Sequence, residues 1–279
     1  LKTFLYSSEL EKYPYPSYVP FKTQRAGKTR GVLLNMGMLT GTGRKELAPQ
    51  PASRERLESF HAPEYIDALI QAGSGRADPE SLRMGLGTMD CPVFPGLYES
   101  ASLAAGASLA GAELILSGEA DVAFNPSGGF HHAHRSSAGG FCYVNDIVIA
   151  CLALTEAGKR VGYLDFDVHH CDGVQDAFYD RNDVLCISLH ESGETLFPGT
   201  GFVGECGEGE GEGYTVNIPF PIETYDDIYL EAVDQIVYPL IRSYNPDVLV
   251  VELGADVLAG DPLAHLLLTN KIYPAIIDG

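Results

Sequence analysis

Positive charge is scarce in this chain. Its 279 residues include 18 Lys and Arg against 38 Asp and Glu, a formal net charge of −20. Direct nucleic-acid binding is excluded on that ground, because it needs basic stripes facing phosphate. Long apolar runs are also missing, and Leu1 to Leu10 lacks a basic-then-apolar signal pattern. No membrane partner is therefore expected. None of the six cysteines (Cys91, Cys142, Cys151, Cys171, Cys186 and Cys206) forms a C-x-x-C pair, and several sit inside apolar runs. They read as reduced thiols, which sets a cytoplasmic location as the expectation. The acidic excess itself has two readings, a solvated surface or attraction of a cationic substrate such as a lysine-rich peptide or a polyamine. Charge alone does not choose between them.

With no internal repeat and no long linker, residues 1–279 read as one domain. Leu1 to Tyr6 reads as a strand, and Ser53 to Ala72 as one helix with Ser53 as its N-cap. Leu97 to Leu116 is an Ala-rich helix ended by Ser117-Gly118, and Asp121 to Asn125 is a short strand. Helix Asp146 to Ala157 then leads to strand Arg160 to Phe166. Helix Val174 to Tyr179 leads to strand Val184 to Leu189. A strand from Tyr214 to Ile218 follows. Helix Tyr225 to Tyr244 leads to strand Asp247 to Leu253. Apolar strands alternating with helices predict an α/β fold, a mostly parallel β-sheet covered by helices on both faces. The site of such a fold lies at the carboxyl ends of the strands. Glu205 to Gly213, alternating Glu and Gly, reads as a flexible, solvated loop.

The polar clusters fall at those strand ends. In Asp165-Phe166-Asp167-Val168-His169-His170-Cys171-Asp172, an extended chain would put Asp165, Asp167 and His169 on one face. Three such groups at a buried strand end are costly unless something neutralises them. A metal ion would do so. Carboxylates with an imidazole suit zinc, with iron or manganese as substitutes. An ion-paired, hydrogen-bonded core cluster is the plainer alternative. Gly128-Gly129-Phe130-His131-His132-Ala133-His134 offers tandem histidines able to act as base and acid. Taken alone, satisfied structural histidines or a surface loop are the commoner reading. Asp256, past the strand Val248 to Val251, is placed to complete a three-ligand set or to cap a helix. Leu196-Phe197-Pro198-Gly199-Thr200-Gly201 is a rigid turn. With Gly140-Phe141 it offers aromatic walls for a narrow channel or ordinary packing.

Together these stretches resemble the histone deacetylase family of the arginase/deacetylase superfamily, and most of all its bacterial acetoin-utilisation-type members. The resemblance is carried by Gly128 to Ala133, Gly140-Phe141-Cys142-Tyr143-Val144-Asn145-Asp146, Asp165 to His170, Phe197 to Gly201, and Gly254-Ala255-Asp256 with Gly260-Asp261-Pro262. Asp90-Cys91-Pro92 looks like the family's rim motif. The motifs run in the family's order over about Leu1 to Thr269.

The resemblance implies an arginase-like fold and a zinc-dependent amidohydrolase that removes acetyl groups from lysine side chains of proteins. It implies one Zn²⁺ held by Asp167, His169 and Asp256, with Fe²⁺ as a substitute. His132 would be general base and then acid, with His131 as its electrostatic partner. Asp165 would back His131 and Asp172 would back His132. Phe141 and Phe197, with Gly140 and Leu263, would line the substrate channel, and Asp90 would accept bonds from the substrate backbone. A K⁺ ion is implied at Asp165, Asp167, His169, Ser188 and Leu189. Expected partners are an acetylated lysine peptide or a small acetylated amine such as an acetylpolyamine. The resemblance does not indicate an oligomeric state.

Two departures stand out. Cys171 occupies a place where the family usually has Gly, which would displace Asp172, act as a redox-sensitive thiol or, as the commoner role, serve packing. The family's tyrosine follows a Gly-rich turn on a later strand, and no such motif precedes Ile276-Ile277-Asp278-Gly279. The expectation is a natural protein that continues, with the C-terminal part of the domain beyond Gly279. The missing tyrosine also keeps open an acyl-lysine-binding module with impaired catalysis. Dinuclear manganese chemistry would want more carboxylates near Asp256 than Glu252 to Asp256 provides.

Overall fold

The computed structural model describes residues 1–76 and 78–278. These fall into two compact units, Leu1–Ala157 and Gly158–Gly279.

In the first unit, β1 (Lys2–Leu5) lies between β2 (Arg44–Leu47) and β3 (Val122–Phe124), and both neighbours run parallel to it. Helix α1 (Arg25–Asn35) buries only Ala26. The expected helix Ser53 to Ala72 is two helices, α2 (Arg54–Glu58) and α3 (Pro63–Ala72). Ser53 caps the first as expected, accepting from Arg56 N–H. The break has a physical cause in Pro63. Proline suits the first helical turn but clashes with the preceding turn inside a helix. Helix α4 (Pro79–Arg83) is capped by Asp78 in a capping box. Helix α5 (Leu97–Leu116) is nearly all Ala, Ser, Gly and Leu, and it packs against α6 (Asp146–Glu156). Small residues also let α5 approach the segment just before α2. A Cβ at Gly106 would lie 1.9 Å from the Gln50 carbonyl oxygen.

The second unit is built on a parallel four-stranded sheet in the order β6 (Thr215–Phe220), β5 (Val184–Glu191), β4 (Val161–Asp165), β7 (Val248–Glu252). Strand register places Asp165 beside Ser188 on one side and Glu252 on the other. Helices α7 (Asp172–Phe178), α8 (Asp226–Ala232), α9 (Tyr238–Tyr244) and α10 (Ile272–Asp278) complete the unit. Leu164, Leu185, Ile187, Leu189, Ile218 and Phe220 form a buried cluster with Tyr229, Val233, Val237, Ile272 and Ile276. Each full burial of such a side chain contributes about 1.5–3 kcal/mol. The expected single helix Tyr225 to Tyr244 is interrupted by a π turn at Val233–Val237. Pro239 follows in the first turn of α9 and lacks the N–H that an uninterrupted ladder needs.

The strands are thus parallel and flanked by helices, as expected, although they form two hydrogen-bonded sheets rather than one. The polar β2 was not anticipated, because Arg44-Lys45-Glu46-Leu47 shows no apolar alternation. No described helix is long and apolar enough to cross a membrane.

Candidate active site

Strand β4 stops at Asp165, and the chain bends through residues 166–169. An extended face therefore does not align Asp165, Asp167 and His169. Two successive Asx turns shape the bend that carries Asp167 and His169. The Asp165 Oδ1 accepts from Asp167 N–H at 2.9 Å, and Asp167 Oδ1 accepts from His169 N–H at 2.8 Å. Short acidic side chains favour such turns because they bond the backbone two residues on. The other oxygen of fully buried Asp165 accepts from the Tyr163 hydroxyl, so this carboxylate also braces the bend.

Asp167, His169 and Asp256 converge. One ligand-type atom from each lies within 4.8 Å of the others. His169 Nδ1 is 3.0 Å from Asp167 Oδ1 and 3.1 Å from Asp256 Oδ2. Asp256 Oδ1 also accepts from Val168 N–H at 3.1 Å. Burial opposes protonation of His169, but hydrogen bonds to Asp167 and Asp256 outweigh it and raise its pKa to about 10. Burial, then the adjacent Asp167 charge, raises Asp256 to about 6. Two carboxylates and an imidazole crowded together out of water attract a cation, as this pair of shifts expresses. The donor set fits a divalent metal ion.

Gly254 makes the convergence possible. A Cβ there would lie 2.4 Å from Asp167 Oδ2 and 2.7 Å from Asp256 Oδ1. The Gly254 carbonyl is tied down in turn by the Tyr273 hydroxyl at 2.6 Å. Burial and the Asp256 and Asp167 charges push that phenol's pKa upward, so it stays a donor. Gly254 appeared above only as part of a motif, and Tyr273 not at all. The signal for Gly254 was a glycine two residues before a candidate ligand.

Around this cluster, the Phe197 ring meets the His169 ring edge-on, with centroids 6.3 Å apart. Phe197 and Leu263 are each roughly half exposed, at 48% and 45%. Leu263 is set by Asp261, whose Oδ1 accepts its N–H at 2.8 Å. Ser188 sits on β5 with its hydroxyl 2.9 Å from His190 Nδ1, and the Leu189 carbonyl accepts the Tyr229 hydroxyl at 3.4 Å. Asp172 begins α7 and accepts from Gly173 N–H. Cys171 is fully buried, with its sulfur 3.8 Å from that of Cys186. This is the packing role, turned toward β5. The Glu/Gly stretch is more ordered than expected. Glu205 accepts from Gly201 N–H, Phe202 N–H and the Gln175 amide, and Gly211 is buried.

In the first unit, His131 and His132 are buried with their Nε2 atoms 3.0 Å apart. Their backbone is fixed by Asn145, whose amide donates to the carbonyls of His131 and Ala133. Buried Asp146 accepts from Phe130 N–H at 2.8 Å and from the Ser108 hydroxyl at 2.5 Å. Gly128 lets the loop close on that carboxylate, since a Cβ would come within 2.4 Å of it. Asn145 entered the sequence reading only through the resemblance, and Asp146 through that and as the start of a helix. They build the turn that holds the histidines. Asp90 accepts from Gly140 N–H at 2.9 Å and from the Thr88 hydroxyl at 2.8 Å. It thereby sets the turn where Gly140 and Phe141 both have positive φ, 51° and 67°. A positive φ is uncommon for an aromatic residue and marks strain held by its surroundings. The Tyr15 hydroxyl donates to the Phe141 carbonyl at 2.8 Å.

Comparison with known proteins agrees with this geometry. The family described as Histone deacetylase domain matches residues 19–278. The chain belongs to the histone deacetylase family. It is 41% identical over 275 residues to "Acetoin utilization protein AcuC" of Bacillus subtilis, covering 98% of this chain and 70% of that one. It is 39% identical to "Histone deacetylase 2" of Oryza sativa subsp. japonica, covering 96% of this chain but 53% of that one. It therefore spans about half the length of the rice relative. The crystal structure of an HDAC homolog from Aquifex aeolicus superimposes with a TM-score of 0.92 at 35% identity, over 99% of this chain and 74% of that one. The structure of an HDAC homolog complexed with SAHA fits equally well, over 100% of this chain. The family is one of deacetylase hydrolases that generally depend on a metal, and the Asp167, His169 and Asp256 donors fit that dependence.

Proposed function

We propose that the protein is a zinc-dependent deacetylase acting on acetylated lysine side chains. The observation that carries this is the convergence of Asp167, His169 and Asp256 with the edge of Phe197 against His169. Nitrogen and oxygen donors in a three-residue set suit Zn²⁺, with Fe²⁺ as a substitute. Bound zinc supplies Lewis acidity that polarises an amide carbonyl and lowers the pKa of water.

The chain's own residues do the rest. His132 takes a proton from water and returns it to the departing amine, and His131 tempers the charge on its neighbour. Asp165 and Asp172 fix imidazole orientation, as outer carboxylates do. Gly140, Phe141, Phe197 and Leu263 line the acyl-lysine channel, and Asp90 meets the substrate backbone. Potassium at Asp165, Asp167, His169, Ser188 and Leu189 belongs to the same reading, as does a single deacetylase-like domain over residues 1–279. The homolog solved in complex with SAHA supports binding of an acetylated substrate.

The acidic surplus suits either a lysine-rich peptide or an acetylated polyamine. The zinc-loaded protein is expected to release acetate from an acetyl-lysine peptide, and Asp256→Ala is expected to release none. Faster release from an acetylpolyamine would move the substrate assignment to small amines. Bound zinc and tight peptide binding without turnover would make the chain a binding module.

A further inference from the structure

Glu191, the last residue of β5, is a buried carboxylate for which the proposed chemistry has no use. Its side chain is fully buried. A lone buried carboxylate costs several kcal/mol unless its oxygens are satisfied. Here three donors meet it. Oε1 accepts from the Thr195 hydroxyl at 2.9 Å and lies 2.9 Å from His265 Nδ1, and Oε2 accepts from His265 N–H at 2.8 Å. Glu191's own N–H donates to the Val168 carbonyl at 2.8 Å, next to His169.

Those donors come from two different segments. Thr195 lies two residues before Phe197, in a loop that closes tightly. Its N–H and that of Leu196 both bond the Ser192 carbonyl, and a Cβ at Gly193 would meet the Thr200 carbonyl at 2.6 Å. His265 lies two residues after Leu263, and its carbonyl accepts Glu223 N–H at 2.9 Å. One carboxylate therefore joins the segment bearing Phe197 to the segment bearing Leu263. Both of these side chains are half exposed, so neither is located by deep packing of its own.

We infer that Glu191, with Thr195 and His265, is a positioning clamp that sets the spacing of the Phe197 and Leu263 walls and so governs acyl-substrate fit. This rests on the deacetylase reading for the identity of the substrate, but the clamp itself does not. Glu191→Gln keeps the shape but removes the charge and one acceptor: with its carbonyl oxygen on His265 N–H, its NH2 faces Thr195 Oγ1 and His265 Nδ1, which must then accept instead of donate. Thr195→Val and His265→Ala each remove one side of the clamp at less buried positions, which guards against loss of folding.

The experiment is steady-state deacetylation of an acetyl-lysine peptide beside hydrogen exchange of residues 192–200 and 261–267. Each variant is expected to raise KM about 3- to 10-fold with kcat within about twofold, the pattern of lost ground-state fit. Glu191→Gln is expected to speed exchange in both segments. Thr195→Val combined with His265→Ala should fall short of the product of the single effects, because both act through one carboxylate. An unchanged KM, or a fall in kcat alone, overturns the specificity role. Unchanged exchange in both segments overturns the clamp. Failure of the deacetylase reading has a different signature, wild-type protein that releases no acetate while Glu191→Gln still loosens both segments; that outcome overturns the substrate-fit role and leaves the clamp standing.

Discussion

His169 and Asp256 are 87 positions apart in the chain, yet His169 Nδ1 lies 3.1 Å from Asp256 Oδ2. Asp167 completes the set from the other side at 3.0 Å. Removing one donor leaves a crowded pair of groups with too few ligands. Asp256→Asn is expected to weaken zinc binding by more than the roughly 10- to 100-fold typical of losing a supporting outer residue. Competition with a chromogenic chelator measures this directly. A zinc affinity within threefold of wild type would remove Asp256 from the ligand set. Exhaustive chelation of the wild type should abolish acetate release, and added zinc should restore it.

Gly254 is a separate test of the same geometry. A methyl group there would overlap Asp167 Oδ2 and Asp256 Oδ1. Backbone and carboxylates must shift by several tenths of an ångström to admit it. Gly254→Ala is expected to reduce zinc affinity about 10- to 100-fold, as for a lost supporting contact. Circular dichroism should remain that of a folded protein. Undiminished zinc affinity would show that the carboxylates have room that the structure does not give them.

The fold and the grouping of Asp167, His169 and Asp256 were legible in the sequence for different reasons. Strands β4, β5 and β7 declared themselves as apolar runs ending in polar clusters, and that placed Asp165 to Asp172 and Asp256 at strand ends. The local route to convergence was not legible. An extended face was expected, whereas paired Asx turns at Asp165 and Asp167 bring the ligands around. Asx turns depend on side-chain bonds that residue spacing does not reveal. Strand β2 escaped because its stability comes from parallel pairing with β1 and not from burial of its own side chains. Asp146, Tyr273 and Glu191 act on backbone atoms far along the chain, so no local pattern marked them.

Acid should destabilise the first unit through His61. This ring is fully buried, and its Nε2 accepts from Asn145 N–H at 3.0 Å. Burial lowers its pKa from 6.5 to about 4, so the folded protein holds it neutral. A lowered histidine pKa contributes its full stability above pH 6.5 and loses it as pH falls toward 4. At pH 5 the loss is about 2 kcal/mol from this group. His190, also lowered to about 4 by burial and by the neighbouring His170, adds a loss of the same sign in the second unit. Urea melts at pH 7 and pH 5 should show the drop. His61→Gln, which cannot titrate, should show a smaller pH dependence on a lower baseline. An equal slope in wild type and variant would rule His61 out as a source.

Phe141 should separate stability from substrate fit. Its φ of 67° belongs to the left-handed region, which costs a non-glycine residue about 1–2 kcal/mol. Asp90 holds the turn from Gly140 N–H, and Tyr15 holds it from the Phe141 carbonyl, so the strain is maintained by neighbours. Phe141→Gly relieves it but loosens the unfolded chain and removes partial packing. Those terms offset within about 1 kcal/mol, so the melting temperature should change little. The proposed channel wall is lost all the same. KM for an acetyl-lysine peptide is expected to rise about tenfold, with the ratio of acetyl to longer acyl substrates shifted toward the longer ones. A variant that melts much lower would mean that the ring is a packing residue. A stable variant with unchanged KM would mean that the ring does not touch substrate. A stable variant with raised KM would show backbone strain kept in place for what the ring contacts.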